Sequence, residues 1–84
     1  MNAITIFEER NEVKVDINTK IYNYNAVLLS VKDFLDTNWI YLDGQSDSSV
    51  SVFIKPKKPV ENTDLKLLGY EFYNYVLGIM ENGL

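Results

Sequence analysis

Two stretches near the start of the chain alternate with a period of two. Val13, Val15 and Ile17 are separated by Lys14 and Asp16, and Ile4 and Ile6 flank Thr5. That spacing sends successive side chains to opposite faces and predicts half-buried strands over residues 3–8 and 12–17. The polar run Glu9-Arg10-Asn11-Glu12 joins them as a short hairpin, with Asn11 best suited to a left-handed conformation. The period then changes. Val27, Leu28, Val31, Phe34 and Leu35 recur at helical spacing, with Asn23 as N-cap, Tyr22 and Val27 placed for a hydrophobic staple, and Ser30, Asp33 and Asp36 elsewhere on the wheel. Asp36-Thr37-Asn38 stops this helix.

Residues 39–43 and 50–55 predict two further strands, joined by the polar loop of residues 44–49 as an antiparallel pair. Pro56 and Pro59 end the ladder. Asn62, Thr63 and Asp64 offer caps for a last helix over residues 64–81. Leu65, Leu68, Phe72, Val76 and Ile79 form its stripe, widened by Leu67, Tyr73, Leu77 and Met80. Gly69 and Gly78 weaken that helix, so each is expected to have a packing reason, and Gly83 is its stop. The prediction is an α+β domain covering residues 1–84, a two-layer ββαββα arrangement with a four-stranded, mostly antiparallel sheet and two helices. A β-grasp-like core is compatible with the first five elements, although the chain ends in Glu81-Asn82-Gly83-Leu84 and not in the Gly-Gly tail of sulfur carriers.

Alternation has a second consequence. With Ile4, Ile6, Val13, Val15, Ile17, Ile40, Leu42, Val50, Val52 and Ile54 on one face, Phe7, Trp39, Tyr41 and Phe53 fall on the other. A sheet with aliphatics on one face and aromatics on the second is not a simple half-solvated sheet. Either the last helix or a second subunit covers the aromatic face, or that face receives a peptide or protein with Trp39 and Tyr41 as anchors.

Composition narrows the chemistry. The chain has 84 residues, 46% hydrophobic and 24% charged, which is globular for a single small core. It contains neither cysteine nor histidine. Disulfides, thiolate metal sites, cysteine nucleophiles and histidine bases are thereby excluded. Net charge is −4, which disfavours nucleic acid as partner. No basic, apolar leader opens the chain and no apolar run approaches a membrane span, so a cytoplasmic protein with no membrane partner is expected.

The candidate chemistry is sparse. Lys55-Pro56-Lys57-Lys58-Pro59 is the basic cluster; it reads as a solvated strand end guarding an edge, or as a contact for an acidic partner. Asp43, Gln45, Asp47 and Ser49 alternate along a loop, but Gly44 is misplaced for a calcium loop and no closing Glu follows. Glu8, Glu9 and Glu12 read as a solvated turn. Among the tyrosines, Tyr73 falls on the buried stripe, while Tyr70 and Tyr75 point outward and would thicken a dimer or partner surface. No phosphate loop, nucleophile elbow or dinucleotide fingerprint is present. The expectation is a chain without catalytic residues, cofactor or metal, whose candidate contacts are Phe7, Trp39, Tyr41, Phe53, Lys55, Lys57, Lys58, Tyr70 and Tyr75.

Several segments line up, in order, with one known family. They are Val15-Asp16, Ile21-Tyr22-Asn23-Tyr24-Asn25-Ala26-Val27, Asp33-Phe34-Leu35-Asp36, Trp39-Ile40-Tyr41-Leu42-Asp43, Val50-Ser51-Val52-Phe53-Ile54-Lys55-Pro56-Lys57 and Leu68-Gly69-Tyr70-Glu71-Phe72-Tyr73-Asn74. Across them the chain resembles the small HxsD-like proteins of the His-Xaa-Ser system. It departs at Asn23 and Asn25, where Ser and Glu are usual, and at Tyr75-Val76-Leu77-Gly78, where the family has a basic leucine-rich stretch. The resemblance implies an accessory protein beside a radical-SAM peptide-modification system, binding a peptide or the maturase and carrying no catalytic residue of its own. A homodimer is expected. The alternative is a small dimeric protein-interaction or regulatory module with no role in peptide maturation.

Overall fold

Alternation along the strands decides which side of the sheet the helices take. The computed structural model describes residues 3–44 and 47–83. In chain order they form β1 (Ile4–Phe7), a 3-10 turn (Glu8–Arg10), β2 (Glu12–Asn18), α1 (Tyr24–Phe34), β3 (Asn38–Asp43), β4 (Ser49–Pro56) and α2 (Asn62–Glu81). This is the α+β ββαββα order that the periodicities predict. The strands lie in the order β1-β2-β4-β3 and all three pairings are antiparallel. A β-grasp core is not formed, because that fold needs a parallel central pair, whereas here β2 meets β4 antiparallel.

Ile4, Val13, Val15, Ile17, Val50, Val52 and Ile54 turn to one face and are buried there against Ala26 and Val27 of α1 and Leu65, Phe72 and Val76 of α2. Both helices therefore cover the aliphatic face. The last helix does not cover the aromatic one: its apolar stripe needs the aliphatics of β1 and β2 to be buried at all. Gly69 shows how closely it approaches. A Cβ at that position would stand 3.0 Å from Ile4 Cγ2 and 3.2 Å from Val13 Cγ2. Gly78 has no such reason, since nothing lies within 4 Å of a Cβ there.

The helix stripes are narrower than their spacing suggests. On α1 the buried residues are Ala26, Val27 and Ser30, with Val31 and Phe34 partly buried. Leu28 and Leu35, expected on that stripe, are exposed at 40% and 42%; Leu67 and Leu77 on α2 are exposed too. Small Ala26 and Ser30 let α1 approach α2 closely. Ser30 is tolerated there because its Oγ donates to the Ala26 carbonyl at 2.8 Å. Phe34 of α1 meets Phe72 edge to face at 5.2 Å.

Side chains at the boundaries close the fold. The Asn23 Oδ1 accepts from the Asn25 N–H at 2.8 Å, the expected N-cap of α1. The Asn38 side chain, buried at the start of β3, donates to the Phe34 carbonyl at 3.0 Å and satisfies an otherwise unpaired helix-end acceptor. Asn11 is left-handed at φ 51°. It donates to the Val60 carbonyl at 2.6 Å and accepts from the Val60 N–H at 2.9 Å, fastening the β4–α2 connection to the first hairpin. At α2 the N-cap is Glu61, without a side-chain cap bond, so Asn62, Thr63 and Asp64 lie inside the helix.

Candidate protein-interaction surface

The face opposite the helices is built by the odd positions of β1, β3 and β4 and the even positions of β2. The paired ladders place Lys14 beside Phe53 and Phe53 beside Tyr41, with Phe7 beside Glu12 and Trp39 beside Lys55 at the neighbouring step. Phe53 and Tyr41 stack with centroids 4.5 Å apart and planes 2° apart. Phe7 extends the row, 6.3 Å from Phe53. Trp39 is 62% exposed and Tyr41 52%. Large aromatic surface left in water by a monomer is the usual mark of a contact site.

The charges around these rings are largely occupied. The Arg10 guanidinium lies 4.2 Å above the Phe7 ring and its Nε pairs with the Glu12 carboxylate at 2.9 Å. The Lys57 ammonium lies 4.6 Å from the centre of Trp39. Lys14 pairs with Asp16 at 3.6 Å, and the Lys55 ammonium donates to the Arg10 carbonyl. Asp16 in turn accepts from the Ser51 hydroxyl at 2.6 Å. What the face presents outward is thus ring surface fixed in place by neighbouring cations, more than free charge. Arg10, Lys55 and Lys57 stand beside Glu12 where β3 begins, and Asp16 and Asp43 where it ends.

The sequence-selected contacts divide into three groups. Phe7, Trp39, Tyr41, Phe53 and Lys55 share the open face, and Lys57 leans over it. Lys58 lies at the sheet's end, where Lys57, Pro56, Val60, Leu68, Asp36, Asp64 and Glu71 line an open groove of about 530 Å³. Tyr70 and Tyr75 belong to the helix layer, on the other side of the sheet. Tyr75 serves the fold: its ring packs edge on to Phe34 at 5.3 Å and its hydroxyl donates to the Asp33 carboxylate, which raises its pKa. Tyr70 remains 47% exposed.

Sequence reasoning missed Arg10 and Lys14, which stabilise the open face. The signal for Lys14 was the alternation that placed Phe53; Arg10 lies in the 3-10 turn, where no strand alternation reaches it. Gln45 and Ser46 of the polar β3–β4 loop lie outside the described residues, so the loop reading at Asp43, Gln45, Asp47 and Ser49 receives no structural account. Among the described residues no helix is long and apolar enough to cross a membrane. Comparison with family models, with curated proteins and with solved structures finds no match for this chain.

Proposed function

We propose that this chain is a non-catalytic binding module that docks an apolar segment of a protein partner on its open sheet face. The observation that carries the reading is the row Phe7, Phe53 and Tyr41, continued by Trp39, uncovered by either helix. Rigid aromatic side chains supply large contact area at low entropic cost, and Trp and Tyr dominate the binding energy of protein interfaces. The pairing of Arg10 with Glu12 and of Lys14 with Asp16 argues for an apolar protein surface as the occupant over a polyanion. The resemblance to HxsD-like proteins supplies the setting: an accessory role beside a radical-SAM maturase, holding that enzyme or its precursor peptide.

Amide hydrogen exchange tests the reading, with the chain alone and mixed with a radical-SAM maturase of the His-Xaa-Ser system. New protection on β3 and β4 supports it. Protection confined to α2, or a genome neighbourhood without a radical-SAM gene, favours instead the regulatory module without a maturation role.

A further inference from the structure

The outer edge of β3 carries a second contact surface, which shares Trp39 and Tyr41 with the open face. The Lys57 N–H donates to the Thr37 carbonyl at 3.0 Å, in register with the β3–β4 ladder. Antiparallel ladders alternate, so Trp39 and Tyr41 direct their backbone groups at β4. The N–H and C=O groups of Asn38, Ile40 and Leu42 then face outward. β3 is the last strand of the sheet, and no described strand lies beyond it.

Edge strands are normally blunted by proline, lysine, a bulge or a covering element. β3, Asn-Trp-Ile-Tyr-Leu-Asp, contains no proline or lysine. It is also apolar on both sides. Trp39 and Tyr41 project on the open face. On the helix side stands the flank of α1 opposite Asp33; Asp33 reaches Tyr75 of α2, so this flank lies away from α2. It carries the exposed Leu28 and Leu35, two turns apart and about 11 Å along the axis.

We infer that β3 pairs antiparallel with β3 of a second copy, about a two-fold axis at Ile40, to give a continuous eight-stranded sheet. This register uses every outward group: Ile40 meets its own mate and Asn38 meets Leu42 of the partner, for about six main-chain hydrogen bonds. It sets Trp39 against the partner's Tyr41 on the open face, an aromatic cross-strand pair. It brings Leu28 of one copy toward Leu35 of the other above the seam. Charge selects the second copy as occupant. The two-fold carries Asp43 to Thr37 of the mate, beside Lys57. A parallel or unrelated strand would not match both ends at once.

The test is the mass of the intact chain in solution by light scattering, with variants. The wild type is expected at twice its 9.7 kDa chain mass. Ile40→Pro removes an outward donor and no β3–β4 bond, and proline is tolerated at such edge positions. It should give the monomer mass, as should Leu28→Glu combined with Leu35→Glu on the exposed helix flank. If Ile40→Pro fails to fold, the leucine pair decides. Leu67→Glu, at an exposed leucine of α2 on the other side of the helix layer, should remain dimeric. A wild type that stays monomeric at high concentration overturns the inference. So does a dimer that survives both leucine substitutions at 28 and 35, or one that Leu67→Glu dissolves.

Discussion

Tyr41 and Phe53 stack face to face between the last two strands of the sheet, with centroids 4.5 Å apart and ring planes 2° apart, on the side that neither helix covers. They are ladder partners, so the stack is set by backbone register. The sheet already holds the arrangement of this ring surface, so docking on it would cost little side-chain entropy.

Trp39 is the chain's one tryptophan and sits beside that stack. Its side chain is outside the core, so Trp39→Ala should change unfolding free energy by less than about 0.5 kcal/mol. Partner affinity should fall at least tenfold, as for an interface anchor. Urea unfolding and titration of the two proteins with partner check the contrast. Equal affinities would remove Trp39 from the surface.

The two helix glycines should respond oppositely to alanine. Gly69→Ala forces a methyl to 3.0 Å from Ile4 Cγ2 and should destabilise by about 1–3 kcal/mol despite the better helix former. Gly78→Ala meets open space and should stabilise by up to about 1 kcal/mol. Thermal unfolding of the pair reads both signs.

Asn11 should be hard to replace. Asn11→Ala loses both bonds to Val60 and places alanine at φ 51°, a cost of about 2 kcal/mol or more. Asn11→Gly recovers the backbone freedom and loses only the bonds, so it should fall between alanine and wild type in urea midpoint.

Tyr73 sets a dependence on alkaline pH. Its hydroxyl donates to the Asp16 carbonyl at 2.5 Å. Burial, with smaller contributions from Tyr22 and Asp16, raises its pKa above the ordinary value of 10.0. The folded chain therefore holds this proton more tightly than the unfolded chain. The stabilisation is complete below the unfolded value and is lost as pH rises through the folded one. Tyr73→Phe should cost about 1 kcal/mol at neutral pH. The gap to wild type should close above a pH of about 10, measured as urea unfolding across that range. A constant gap would contradict the assignment.

Much of the fold was legible because β-strand alternation is a local signal. Lys14 and Asp16 between valines and isoleucine specify a face, and the same rule carried Phe7, Trp39, Tyr41 and Phe53 to the opposite one. The helix faces were less legible. Val27, Val31 and Phe34 fit two overlapping stripes, and the choice fell to Ala26 and Ser30, whose small size matters only once α2 is in place. Which side α2 covers was likewise a tertiary matter, decided by the close approach at Gly69. Tyr75 looked like a free surface aromatic because its partner, Asp33, lies on the other helix.

The open aromatic face is proposed to bind a protein partner. The most direct measurement is co-purification of a radical-SAM maturase from the native host, using wild type and Tyr41→Ala combined with Phe53→Ala as parallel baits of matched folding. Retention by the wild type and loss by the double variant is the predicted result. Equal retention by both, or no maturase on the wild type, would contradict it.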